Sequence, residues 1–235
     1  MNITISSQQE TTIDYPGKMG VIVFTPGCNF RCGFCHNPEL VEENIGEIDI
    51  DVLLKNIKNR TEAGWYQGVC ISGGEPCLHP GLVDFCKKLK EIGVSVKLDT
   101  NGSIPSVLRE LLNSELVDYI AMDVKAPKEK YNEIANTSVD IDAIEESIGI
   151  VKECPVYEFR ATVLPFMNEK DFEEIGKWIT NNESDKVRLF TLQQFNPKNS
   201  LDASFMKLVP KSKGEIEKLG ELMNKYAENV QIKSI

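Results

Sequence analysis

The chain has 235 residues, 41% of them apolar, and a formal net charge of −10. That length buries one sizeable core, and the acidic excess disfavours nucleic-acid binding, which runs on phosphate neutralisation; only a local basic group such as Lys207, Lys211 and Lys213 keeps that option open. No apolar run reaches membrane-spanning length and the opening MNITISSQQE lacks the charged-then-apolar order of a signal peptide, so a soluble, cytoplasmic protein with no membrane partner is expected.

Short β-rich runs and helical stripes alternate along the chain. A strand over Val21–Phe24 leads into a cysteine-rich loop and then a helix in which Ile50, Leu53, Leu54 and Ile57 share one face behind the cap residue Asp49. Val69–Ser72 precedes the stripe Leu82, Phe85, Cys86 and Leu89, with Gly93 as its stop. Val94–Leu98 precedes Val107, Leu108, Leu111 and Leu112, with Pro105 suited to the first turn. Tyr119–Val124 precedes Ile141, Ile144, Ile148 and Val151, and Val156–Val163 precedes Phe172, Ile175 and Ile179. Val187–Leu192 precedes an irregular stretch, Phe195–Gly214, and a last helix carrying Ile216, Leu219, Met223 and Tyr226.

Parallel strands need crossover connections, so this alternation predicts an α/β fold of parallel strands: a partial (β/α)6 barrel with a C-terminal helix. One domain is expected over residues 1–235, its core at about 18–195 and its C-terminal loop and helix at 196–235. In parallel barrels chemistry gathers at the C-terminal strand ends. The unusual polar motifs fall there: the cysteine loop, Ser72-Gly73-Gly74-Glu75-Pro76, Asp99-Thr100-Asn101-Gly102, Asp123 with Lys125, Arg160 with Thr162, and Gln193, Gln194 and Asn196.

Seven cysteines are present, and Cys28, Cys32 and Cys35 stand in the spacing C-x3-C-x2-C. Three thiolates on a short loop suit three irons of a [4Fe–4S] cube and leave the fourth iron open, as a catalytic metal centre requires. The rival readings are a zinc site completed by His36 or His79, or buried thiols. Cys70 and Cys86 read as core, Cys154 as structural, and Cys77 as a buried thiol rather than a site residue. His36 divides evenly between a site role and a structural hydrogen bond.

The three-cysteine spacing followed one strand later by Gly73-Gly74-Glu75-Pro76 resembles the radical S-adenosylmethionine superfamily. The resemblance implies that Cys28, Cys32 and Cys35 hold a [4Fe–4S] cluster whose open iron chelates S-adenosyl-L-methionine. Reductive cleavage then gives a 5′-deoxyadenosyl radical. Phe34 would pack near the adenine, and Gly73, Gly74, Glu75 and Pro76 would meet the methionine amino group. Thr25-Pro26-Gly27-Cys28 and Cys35-His36-Asn37-Pro38-Glu39 resemble activating enzymes of glycyl-radical enzymes. Thr12-Ile13-Asp14-Tyr15-Pro16-Gly17 and Leu192-Gln193-Gln194-Phe195 resemble the subgroup that activates anaerobic ribonucleotide reductase. By the same resemblance Asp99, Thr100, Asp123 and the Ala121 carbonyl would hold Na+ or K+, a hard cation suited to oxygen donors. Asn101 and Gln194 would join the cosubstrate site, and Lys125 and Arg160 would supply positive charge to its carboxylate. Strand-end turn chemistry, loop anchoring and structural ion pairs are the plainer alternatives for these residues. The partners implied are a glycyl-radical enzyme as protein substrate and a flavodoxin- or ferredoxin-type electron donor. The rival function is a radical enzyme acting on a small molecule or a tRNA base.

Overall fold

The computed structural model describes residues 1–42, 46–181 and 185–234. Its eight strands form one sheet in sequence order: β1 (Ser7–Thr11), β2 (Gly20–Thr25), β3 (Gly68–Gly73), β4 (Ser95–Thr100), β5 (Tyr119–Asp123), β6 (Tyr157–Val163), β7 (Val187–Gln194) and β8 (Ala227–Lys233). β1 runs antiparallel to β2, and every later neighbour is parallel. The six strands expected from the sequence are β2 to β7, each placed within a few residues of its apolar run. The helices are α1 (Pro38–Val41), α2 (Ile50–Glu62), α3 (Leu82–Ile92), α4 (Pro105–Asn113), α5 (Tyr131–Ala135), α6 (Ile141–Lys152), α7 (Glu169–Thr180) and α8 (Lys213–Met223). None among the described residues is long and apolar enough to cross a membrane.

The local chemistry explains several boundaries. Asp49 accepts from the backbone N–H groups of Asp51 and Val52, satisfying two of the free donors at the start of α2. Gly93 ends α3 at φ 91°, a left-handed conformation that a Cβ would disfavour. α8 stops at Met223, so Tyr226 is not a helix residue; it lies against Gly176 of α7, where an added Cβ would meet its ring at 2.3 Å. The chain also continues past α8 into β8, so the C-terminal helix is not the last element.

Alternation along the strands separates two interiors. Val96 and Leu98 of β4, Ile120 and Met122 of β5, Phe159 and Ala161 of β6, and Phe190 and Leu192 of β7 belong to one apolar core with the helices. The residues between them face the other way. Lys97 and Asp99, Tyr119 and Asp123, Glu158 and Arg160, and Thr191 meet one another across the concave face of the sheet. Cys70 of β3 is fully buried as expected but faces this second group, 3.8 Å from the Lys97 ammonium. Cys86 is in the apolar core as expected, and Cys154 is buried there too.

Candidate active site

A cavity of about 210 Å³ opens at the C-terminal ends of the parallel strands. Cys28, Cys32 and Cys35 line it together with Phe30, Phe34, His36 and Asn37 of the same loop. Ser72, Gly73 and Gly74 enter from β3, Asp99, Thr100 and Asn101 from β4, Asp123 and Lys125 from β5, Arg160 and Thr162 from β6, and Gln193 from β7. Motifs spread over more than 160 positions of sequence thus converge because each sits at the end of a strand in the same sheet.

Three neighbours hold the cysteine loop. The turn after β3 abuts it directly: Glu75 N–H donates to the Gly27 carbonyl at 2.8 Å, and a Cβ on Gly74 would stand 1.9 Å from that oxygen. Gly73, at φ 127°, lies close to Thr25, whose carbonyl oxygen would be 2.3 Å from an added Cβ. The two glycines therefore have a structural reason of their own, the approach of turn to loop. On a second side, the Arg31 N–H donates to the Ala135 carbonyl at 2.9 Å, and the Phe30 ring meets Tyr131 edge-on. On a third, the segment after β7 straps the loop. Leu201 N–H donates to the Cys35 carbonyl and Asp202 N–H to the Gly33 carbonyl, both at 3.0 Å. His36 Nδ1 lies 3.4 Å from the Lys198 carbonyl. Phe205 packs on Phe34, and an added Cβ on Gly33 would meet its ring at 2.5 Å.

Glu75 departs from the expected arrangement. Its side chain is fully buried and turned away from the cavity. One carboxylate oxygen accepts from Cys77 N–H at 3.0 Å and Thr100 Oγ1 at 2.8 Å, and the other from Asn101 N–H at 2.6 Å. Burial still pushes its carboxyl above the usual range. In this geometry Glu75 staples the β3 turn to the β4 end. Pro76 opens a short 3₁₀ turn beside it and does not line the cavity. Cys77 is a buried thiol 3.7 Å from Thr100 Oγ1. Asn101 connects back to the loop: its Nδ2 donates to Asn29 at 2.9 Å and reaches within 4.0 Å of Cys28 Sγ.

Gln194 is also placed differently from the expectation. Alternation puts Gln193 at the cavity, and Gln194 on the helix side with Leu192 and Phe190, where its amide donates to the Lys211 carbonyl at 3.2 Å. A pair of identical residues gives no parity signal in the sequence, and a one-residue step reverses the face.

The floor of the cavity is ionic. Arg160 donates through Nε to Asp123 at 2.7 Å and through Nη1 to Asp99 at 3.1 Å. Lys125 donates to the second oxygen of Asp123 at 2.9 Å. Lys97, 2% exposed, pairs with Asp99, and Ser72 Oγ adds a bond to Asp99 at 3.3 Å. Burial works against the ionised form of Asp123, but Arg160 and Lys125 outweigh it and hold the carboxyl well below the usual range. Burial likewise works against charge on Lys125, and the Asp123 carboxylate more than restores it. Burial pushes the Cys32 thiol up to about 12 against the pull of Lys125, and raises Cys28 as well. Iron binding at this loop therefore has to displace protons.

Fold and site together define a parallel-strand barrel enzyme with three cysteine thiols at its mouth. The family model of the radical SAM superfamily matches residues 22–179, and the chain belongs to that superfamily. It is 34% identical over 232 residues to a Methanocaldococcus jannaschii protein whose name gives glycyl-radical enzyme activation as an unproven assignment; the match covers 96% of this chain and 93% of that one. It is 30% identical over 200 residues to the pyruvate formate-lyase-activating enzyme of Staphylococcus epidermidis, covering 79% of this chain and 77% of that one. Among solved structures, Streptococcus suis SuiB superposes with a TM-score of 0.65 at 15% identity, over 89% of this chain and 47% of that one, a likeness of fold. The chain is thus a radical SAM enzyme homologous to glycyl-radical enzyme activating enzymes. Membership implies a [4Fe–4S] cluster and S-adenosylmethionine. The donor set fits the cluster: Cys28, Cys32 and Cys35, spaced C-x3-C-x2-C on one short loop, all line the same cavity.

Proposed function

We propose that this chain activates a glycyl-radical enzyme by removing a hydrogen atom from a backbone glycine of its partner, with anaerobic ribonucleotide reductase as the favoured partner. When bound, the cluster and S-adenosylmethionine supply one-electron cleavage of the sulfonium and hence a hydrogen-abstracting carbon radical, the electron coming from a flavodoxin- or ferredoxin-type donor. Cys28, Cys32 and Cys35 hold the cluster in this reading. Lys125 and Arg160 orient the cosubstrate carboxylate, Gly73, Gly74 and Asn101 border its amino end, and Phe34 borders the adenine.

The observation that carries the reading is the apolar cluster packed on Phe34, a residue that lines the cavity. Phe205, packed on Phe34, also meets Phe166 at 6.2 Å, and Phe166 and Met206 are each 50% exposed. An apolar cluster beside a polar, charge-lined cavity fits a protein loop that presents its own backbone, with the cluster taking flanking side chains. The two relatives named above support the same class of substrate. The preference for the reductase rests on Leu192–Phe195, which ends at this cluster. Thr12–Gly17, the other stretch resembling that subgroup, lies at the opposite end of the barrel, where the Tyr15 ring packs on Gly68 and edge-on to Tyr119. It closes the floor and says nothing about the substrate.

The test is anaerobic incubation of the cluster-loaded protein with reductant, S-adenosylmethionine and candidate glycyl-radical enzymes, followed by electron paramagnetic resonance. A glycyl doublet on one candidate is expected, lost when any of Cys28, Cys32 or Cys35 is changed to Ala. A modified nucleobase or other small product, with no radical on any candidate protein, would decide for the rival reading.

A further inference from the structure

The three cluster cysteines do not share one environment. Among the described residues, Cys28 is the one whose sulfur accepts hydrogen bonds, and it has two. Phe30 N–H donates from within the loop at 3.4 Å. Asn101 Nδ2 approaches from the β4 end at 4.0 Å, the outer limit for a sulfur acceptor. The sulfur here is a thiol whose proton is held by burial. As a thiolate, which ligation requires, it becomes a stronger acceptor for the same two N–H groups.

A closed ring of hydrogen bonds fixes which way the Asn101 amide faces. Ser103 N–H donates to Asn101 Oδ1 at 2.9 Å, so the amide nitrogen occupies the other side. That nitrogen donates to Asn29 Oδ1 at 2.9 Å, and Asn29 Nδ2 donates to Ser103 Oγ at 2.8 Å. An amide nitrogen carries two hydrogens. Asn29 takes one, and the second is available to Cys28. The backbone is held as firmly. Asn101 N–H donates to the buried Glu75 carboxylate at 2.6 Å, and the preceding Thr100 hydroxyl donates to it at 2.8 Å. Asn101 is itself only 5% exposed, so little water competes for its donor.

We propose that Asn101 tunes the cluster: its carboxamide donates to the Cys28 thiolate and raises the reduction potential of the centre. One-electron reduction adds negative charge, part of which falls on the ligand sulfurs, and an N–H dipole aimed at a sulfur stabilises that charge. Asn101 is a positioning residue in this role, acting on the metal through Cys28. Glu75 supports it through the backbone, so the carboxylate of the β3 turn influences the cluster without lining the cavity. The proposal rests on superfamily membership, which supplies the cluster, and not on which partner is activated.

The experiment is a mediated potentiometric titration of anaerobic, cluster-loaded protein with dithionite, read by electron paramagnetic resonance. It is run without S-adenosylmethionine, so that no contact between Asn101 and the cosubstrate enters the result. Asn101→Ala should take up the electron about tenfold less readily, a midpoint about 59 mV lower for a one-electron couple. A merely structural defect that admits water would move the midpoint upward, because water stabilises the more negative form. An unchanged or higher midpoint in the variant would therefore overturn the proposal. If the variant does not load iron, the native protein decides. Grown with asparagine carrying nitrogen-15 in its side chain, its reduced cluster should show a nitrogen coupling in pulsed paramagnetic resonance, and no coupling would overturn the assignment. A native protein that binds no iron would instead sink the cluster reading, and this one with it.

Discussion

Arg160 joins two carboxylates that would otherwise be buried side by side, and its guanidinium is matched to the task because one planar group reaches both Asp99 and Asp123. Arg160→Met should destabilise the fold by roughly 3–5 kcal/mol, the usual penalty for stripping a partner from a buried ion pair, and urea denaturation would measure it. Arg160→Lys should recover part of that loss, because one ammonium cannot make both bonds in the same geometry; equal stability of the Met variant and the parent would refute the bridging role. At this scale the sequence was legible where chemistry demands rare residues in fixed spacing. Cys28, Cys32, Cys35, Asp99, Asp123, Lys125 and Arg160 all reach the cavity as expected. Lys97 was not legible, since a lysine between Val96 and Leu98 looks like the solvent side of a half-buried strand. Only the closure of the sheet turns that side into a second interior. Glu75 was legible as important, but its bonds to Thr100 and Asn101 depend on how the β3 and β4 ends meet, which spacing along one strand does not specify.

The cysteine loop has no helix or strand of its own and takes its shape from what grips it. The strap after β7 is the least predictable grip. Phe195–Gly214 reads as irregular because loops lack periodicity, yet it supplies two backbone bonds to the loop and the aromatic contact at Phe34. Gly33→Ala should force its new methyl against the Phe205 ring, an overpacking worth about 1–3 kcal/mol, and lower the iron bound per chain. Adding Phe205→Ala should restore much of the iron binding, so the two changes together should cost less than their sum. Iron content and urea midpoints for the four proteins of this cycle are the measurement. Strict additivity would mean that the strap touches the loop without supporting it. The helices were more legible than the strap because their signals are local: the Asp49 cap, the Gly93 stop and the apolar stripe of α3 all behave as read.

Across the whole molecule, the six central strands were legible and the two edges were not. β2 to β7 carry apolar residues toward the helices, and that burial writes itself into the sequence. β1 is Ser-Gln-Gln-Glu-Thr, exposed over its first four residues, and β8 is mostly exposed or half-buried, so neither needs an apolar alternation to find its partner. The sheet they complete keeps its polar interior at one end and delivers five strand ends and the cysteine loop to a single mouth, where Phe34 is backed by Phe205 and the half-exposed Phe166. That shape underlies the central claim, that the hydrogen atom removed by this enzyme comes from the backbone of another folded protein. The most direct measurement follows the atom itself. The partner is prepared with glycine deuterated at Cα, mixed anaerobically with the cluster-loaded chain, reductant and S-adenosylmethionine, and the 5′-deoxyadenosine formed is weighed by mass spectrometry. The account predicts one deuterium in the product and a matching glycyl radical on the partner; 5′-deoxyadenosine formed at full rate without deuterium would contradict it.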